Sequence, residues 1–307
     1  MIEPRSDRDG PTPADAVAGG TLLRLAAFTT EPLGGNPAGV WIGAALPVDA
    51  EMQRIATEVG YSETAFLAPD GSGETGRFRV RFFSPLMEVP FCGHATIASG
   101  VALAERGLAA DPQGSGSAAI VLTTNGGPVS VATARDRDGS IRATLTTGST
   151  WSREPDRSLV SGALSLLGWR ADELDPTLPP AVGFAGAKHL ILAARELDRL
   201  ERLEYPFEAL QALMLEHDLT TLQLIWRESP DRFRARDPFP VGGVVEDPAT
   251  GAAAAALGAY LRERGEITPP AAFEIIQGVE MGRPSRLTVS VVPGEEGVRV
   301  SGNAVAL

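Results

Sequence analysis

Two glycine-bounded segments lying 158 residues apart constrain this chain more than any other feature. The first follows Arg81-Phe-Phe-Ser-Pro85 and Pro90-Phe-Cys92, opens at Gly93-His94 and closes in Ala102-Leu-Ala-Glu-Arg-Gly107. The second follows Arg234-Ala-Arg-Asp-Pro238 and Glu246-Asp-Pro-Ala-Thr250, opens at Gly251 and closes in Tyr260-Leu-Arg-Glu-Arg-Gly265. Gly251 comes 158 positions after Gly93, and Gly265 comes 158 after Gly107. Each segment predicts a helix of the same length, with a final glycine suited to the left-handed position beyond a helix C-terminus. An Arg…Pro strand precedes both, which predicts a duplicated domain. A helix start carries unpaired N–H groups and the positive end of the peptide dipole, so each is a seat for an anion. Two such seats predict one cleft between two halves.

The 307 residues suffice for two domains, and 43% hydrophobic content gives each a core. A net charge of −12, spread along the chain, argues against nucleic acid or an anionic membrane surface as partner. Local helix ends can still hold a small anion. Cys92 is the single cysteine, which excludes an internal disulfide framework and a cysteine-based structural zinc site and fits a reducing compartment. Residues 1–11 lack the apolar run of a signal peptide, and no stretch approaches the ~18 apolar residues of a membrane span. The expectation is a soluble, cytoplasmic protein.

Residues 1–20, rich in Asp, Pro and Gly, read as a disordered tail. The N-terminal domain is expected over 21–137 and the C-terminal domain over 138–302, with a last strand at 303–307 able to return to the first. Strands are read at 21–28, 63–67 and 77–83, and again at 120–124, 129–133 and 141–145. The second half is read as helices near 159–167 and 207–217 among strands, closing through three strands after residue 271. Strands outnumber helices and no βαβ alternation, Walker loop or Gly-x-Gly-x-x-Gly follows, so a doubly wound nucleotide fold is disfavoured. The fold class is therefore α+β.

None of the three histidines, His94, His189 and His217, forms a metal-spaced pair. His217 reads as a surface residue, and His189 suits either core or site. His94 falls in the first helical turn, where it suits ligand contact or a core role. Asp247, just before Pro248, fits an N-cap with proline at N1, and that role is compatible with touching a ligand. Asn36, in the Gly34-Gly-Asn-Pro-Ala-Gly39 turn, can hold a ligand or merely help reverse the chain. Glu63, at the start of an apolar strand, reads from composition alone as a solvated edge residue. Cys92 could be activated by the helix dipole or be a small buried hydrophobe.

Five motifs in order resemble the phenazine-biosynthesis PhzF-like isomerase family: Gly35-Asn-Pro-Ala-Gly39, Ser62-Glu-Thr-Ala-Phe66, Phe83 through Thr96, Glu246-Asp-Pro-Ala-Thr-Gly251 and Gln277 through Ser285. The resemblance covers nearly everything after residue 20. It implies the diaminopimelate-epimerase-like fold: two pseudo-repeated domains, each a curled sheet or barrel around a central helix, with the active site in the cleft between them. It implies Glu63 as general acid/base, reversing the reading from composition. His94 and Asp247 then orient the substrate and assist proton movement, while Asn36, Thr250 and the Gly93 and Gly251 backbone belong to substrate binding. No metal, flavin or nicotinamide is implied, the partner is a small carboxylate substrate, and the assembly is a homodimer. One departure stands out: many relatives place Ser where this chain has Ala252, which weakens the case for the phenazine substrate itself.

Two rivals remain. A cofactor-independent racemase or epimerase on this fold resembles a two-cysteine pattern, but Pro248-Ala-Thr-Gly251 offers no second thiol. A non-catalytic binding protein could keep the fold while losing the chemistry. The joint presence of Glu63, His94 and Asp247 weighs against that.

Overall fold

The computed structural model describes residues 14–111 and 117–307. In chain order the first half comprises β1 (Ala14–Val17), β2 (Gly20–Ala27), β3 (Asn36–Gly43), α1 (Asp49–Val59), β4 (Glu63–Pro69), β5 (Arg77–Phe83), β6 (Glu88–Val89), α2 (Gly93–Glu105), β7 (Ser117–Thr124), β8 (Gly127–Arg135) and β9 (Ile141–Thr146). The second comprises β10 (Trp151–Arg153), α3 (Arg157–Leu167), β11 (Ala181–Phe184), β12 (Lys188–Ala194), α4 (Leu197–Glu201), α5 (Phe207–Glu216), β13 (Thr221–Ser229), β14 (Arg232–Pro238), β15 (Glu246–Asp247), α6 (Gly251–Glu263), β16 (Ala271–Gln277), β17 (Ser285–Val291) and β18 (Arg299–Ala306).

Strands β2, β3, β4, β5, β7, β8, β9 and β18 pair in that order, and β18 returns to β2, closing a ring of eight. The second half repeats the sequence of pairings. β11 through β14, then β16 through β18, alternate antiparallel and parallel partners in the same order as β2 through β5, then β7 through β9. Each half wraps one helix. Residues 94–103 of α2 and 253–261 of α6 are buried without interruption, because both helices are apolar on every face and so belong at a centre, not on a surface.

Glycine lets those helices fit. A Cβ on Gly100 would lie 2.8 Å from the Val131 side chain, and one on Gly258, 158 positions later, 2.9 Å from Val289 and Val298. Both helices end as the sequence predicts, with Gly107 at φ 66° and Gly265 at φ 73°. At the first, Leu108 N–H reaches back to the Leu103 carbonyl (2.9 Å), which satisfies a carbonyl left open by the helix end.

Two expectations require correction. The tail predicted through residue 20 lies outside the described residues up to 13, but β1 is ordered structure. It forms a hairpin with β2 through Ala18 and Gly19, both at positive φ (51° and 77°), and Trp41 Nε1 donates to the Val17 carbonyl (2.7 Å). Strand pairing also moves the division between halves. β9 pairs with β8 and packs against α2, so the first half runs past residue 137 to the end of β9. Asp136–Gly139 is a hairpin turn in which Asp136 N–H bonds the Ser140 carbonyl (2.8 Å). Beyond it, residues 304–306 pair with 25–27 of β2, so that part of the chain does return to the first half.

Candidate active site

The two central helices meet start to start. A methyl group built on Gly93 would lie 3.9 Å from Gly251 Cα, and one on Gly251 would lie 3.7 Å from the Phe28 ring. Phe28 is buried and held at φ 65°, a costly conformation for a bulky side chain, which places its ring beneath the start of α6. The N-cap residues are Cys92 and Thr250, and neither side chain caps its helix. Each helix start is equivalent to about half a positive charge, so two together match one carboxylate. Asp247 is not the cap the sequence suggests. It sits three residues earlier, in β15, opposite Asp237 of β14.

Glu63 opens β4 beside Ala38 of β3, in the interior of the ring rather than at an edge. Its side chain keeps only 17% exposure, which overturns the solvated-edge reading. His94, the second residue of α2, is 6% exposed. Glu63 Oε2 lies 3.4 Å from His94 Nε2 and 3.4 Å from Cys92 Sγ. Asn36 is delivered by the Gly34-Gly35 turn, whose carbonyls accept from Arg283 Nη2 (2.6 Å) and Nε (2.7 Å) of the second half.

Asn36 ties the histidine to the second half. Its Nδ2 lies 2.8 Å from Asp247 Oδ1, 3.2 Å from the Ala249 carbonyl and 3.1 Å from His94 Nδ1, three neighbours for the two hydrogens of one amide. Glu63 Oε2 accepts from the Cys92 thiol and lies 3.4 Å from His94 Nε2, while Oε1 makes no hydrogen bond among the described residues. Burial, reinforced by the neighbouring Glu63 charge, pushes the Cys92 thiol far above its ordinary pKa, so the sulfur keeps its proton.

The second half supplies a polar cradle. Thr250 Oγ1 donates to Asp247 Oδ2 (2.6 Å), and Gln277 Nε2 donates to the Asp247 carbonyl (2.8 Å) and to Thr250 Oγ1 (3.2 Å). Burial pushes the Asp247 pKa up to about 6, against the opposing pull of His94. Ala252 follows Gly251 in the first turn of α6 and brings no polar group. Glu63, Cys92 and His94 also offer three donors within 4.8 Å of one another. Cys92 Sγ is nearer Nδ1 (3.4 Å) than Nε2 (3.7 Å), however, so it lies alongside the ring and off the Nε2 lone-pair axis. An ion on Nε2 would reach the sulfur only if the ring turned.

A family model described as phenazine biosynthesis-like protein matches residues 25–307. The chain is 32% identical over 283 residues to trans-2,3-dihydro-3-hydroxyanthranilate isomerase of Pseudomonas fluorescens, covering 91% of this chain and 94% of that one. This chain belongs to the PhzF family. Among solved structures, a phenazine biosynthesis protein of the PhzF family from Bacillus anthracis superposes with a TM-score of 0.81 at 26% identity, covering 93% of this chain and 96% of its own. A hydroxyproline epimerase from Agrobacterium vitis (TM-score 0.63, 15% identity, 94% and 90% covered) shares the fold alone. The family's curated members are named isomerases, and this PhzF-family chain is an isomerase of the epimerase-like fold.

Every residue named from the sequence gathers at the junction of α2 and α6: Glu63, His94, Asp247, Asn36, Gly93, Thr250, Gly251 and, by position, Ala252. His189 does not. Its Nδ1 bonds Thr221 Oγ1 (2.8 Å), and full burial lowers its pKa to about 3. The site residues not singled out beforehand are Ser62, whose Oγ lies 3.3 Å from His94 Nε2, and Gln277 and Asp237. Gln277 stood within a quoted motif, whereas Asp237 looked like any polar residue in an Arg-rich strand.

Proposed function

We propose that this PhzF-family isomerase moves a proton between two carbons of a small carboxylate substrate, with Glu63 as the acid/base. The observation that carries the reading is the state of Glu63. Its Oε2 accepts from the Cys92 thiol at 3.4 Å and lies 3.4 Å from His94 Nε2, leaving Oε1 without a hydrogen bond among the described residues. The substrate carboxylate sits on the N–H groups at Gly93 and Gly251. Glu63 then takes the proton from one carbon, the electron pair spreads through the adjoining unsaturated system, and the same carboxyl returns the proton elsewhere. The step is redox-neutral and needs no cofactor.

His94 donates to Glu63 and steadies its charge. Asp247, held by Asn36 and Thr250, accepts from a substrate amine or hydroxyl. Ala252 leaves the wall of the α6 start apolar. Cys92 stays protonated, and the equivalent N-cap of the other half is Thr250, so a two-thiol racemase mechanism has no second thiol. The chain acts as a cytoplasmic homodimer by analogy with its family.

Proton NMR in D2O tests the reading. The panel is 2,3-dihydro-3-hydroxyanthranilate, the substrate named for the Pseudomonas relative, together with small amino and hydroxy acids. Loss of a C–H signal with wild type but not with Glu63→Gln is expected. Full exchange by Glu63→Gln would overturn the assignment.

A further inference from the structure

Behind Asp247 lies a second carboxyl that the proposed proton transfer does not use. Asp237 is 0% exposed, and neither of its oxygens has a hydrogen-bond partner among the described residues. The β14–β15 register sets it directly opposite Asp247, so both carboxyls stand on the same side of that short ladder. The Thr250 hydroxyl, already donating to Asp247, and the Gln277 amide approach Asp237 as well.

Among the described residues, the neighbouring cations are already engaged. Arg236, next along β14, is committed to Glu246 through Nε (3.0 Å) and Nη2 (2.5 Å) and to the Glu201 carbonyl (2.8 Å). Arg234 is paired with Glu280 (2.6 Å). The remaining titratable groups around the pair are Glu246 of β15, Glu63 of β4, and His94 and Cys92 at the start of α2. Of these only His94 could bring positive charge, and its Nε2 lies against the Glu63 carboxyl (3.4 Å). An unpaired buried carboxylate is costly, and a second one beside it more so.

We infer that Asp237 and Asp247 form a carboxyl pair sharing one proton, in which Asp237 is a positioning residue that stays neutral so that Asp247 is the one charged member facing the substrate. This rests on the reading of Asp247 as a substrate acceptor. Burial pushes Asp237 far above the ordinary carboxyl range, whereas Asp247 reaches about 6, which gives the proton to Asp237 near neutrality. The pair therefore has a working window. Below it both members are protonated, and above it Asp237 ionises and the two charges repel.

Infrared difference spectra of the full chain between pH values, read at the C=O stretch of protonated carboxyl groups, test this without turnover. Wild type should show such a band at pH 7, Asp237→Asn should lose it, and Glu63→Gln should keep it whether or not Glu63 is the base. In Asp247→Asn, relief of repulsion should lower the pH at which the band disappears by about one unit or more. The pH–rate profile should lose its alkaline limb in Asp237→Asn, a change that a merely structural role would not produce. A wild type without the band at neutral pH, or an unchanged midpoint in Asp247→Asn, would sink the pair.

Discussion

The two halves share a frame but divide the chemistry. At an offset of 158 residues, Glu63 at the start of β4 corresponds to Thr221 at the start of β13, and Cys92-Gly93-His94 corresponds to Thr250-Gly251-Ala252. Val89 corresponds to Asp247. What persists on both sides is backbone: an uncapped helix start, a glycine there and a glycine where the helix crosses a strand. What differs is every titratable side chain at the junction of the helix starts. The first half holds Glu63 with His94 and Cys92 beside it. The second has a buried Thr221–His189 hydrogen bond at the place of Glu63 and holds carboxyls instead. Under the proposed function, the duplicated scaffold supplies symmetric anion binding and asymmetry at a few positions supplies direction to a proton.

The largest test of that division is a matched pair of substitutions. Glu63→Gln should lower kcat by about 10²–10⁴-fold. Thr221→Val, at the same place in the other half, should leave turnover within a few-fold while costing about 1 kcal/mol of stability for its lost hydrogen bond. Equal losses of activity would break the comparison. Next is Asp247. With its pKa near 6, kcat/KM should fall as pH drops through that value, and Asp247→Asn should flatten the limb and lose about tenfold or more in activity. The stability effect runs the other way. A raised folded-state pKa means that the folded form binds more protons than the unfolded one between about 4 and 6, so stability is lost as pH rises through that window. Asp247→Asn should therefore melt higher than wild type above pH 6 and match it near pH 4.

His189 gives the opposite sign. Lowered to about 3, it stays neutral when folded, whereas the unfolded residue takes a proton near 6.5, so stability falls as pH drops from 6.5 towards 3. His189→Gln should lessen that acid sensitivity by about 1 kcal/mol or more, readable as a shift in acid-unfolding midpoint with activity at pH 7 retained. The smallest effect is expected from Ala252→Ser, which places a hydroxyl in the first turn of α6. It should change KM a few-fold for hydroxylated substrates and leave the deuterium-exchange site unchanged.

Much of this was legible because glycines at fixed spacing report backbone geometry directly. The 158-residue offset predicted the paired helices, and Gly107 and Gly265 predicted their ends. Side-chain roles were legible only through motifs. Glu63 looks exposed in sequence because an acidic residue at a strand start normally faces water, and only the closed ring around it shows otherwise. Asp247-Pro248 carries a capping signature that the structure assigns to a strand, since the helix begins three residues later. Asp237 was invisible because burial of a carboxyl depends on strands distant in the chain. The division placed at residue 137 missed for the same reason: a hairpin turn and a domain boundary look alike in sequence and differ in what pairs beyond them.

β18 has a consequence for the order in which the molecule can be made. Residues 299–301 pair with β17 on one side and β9 on the other, and residues 304–306 pair with β2. The first barrel therefore lacks a stave until residue 306 has left the ribosome, although its other seven strands are complete by residue 146. During synthesis, the waiting edges of β2 and β9 stand open while the whole second half is added. Glu63 and the two aspartates stand in different halves, and that late strand pairs with both.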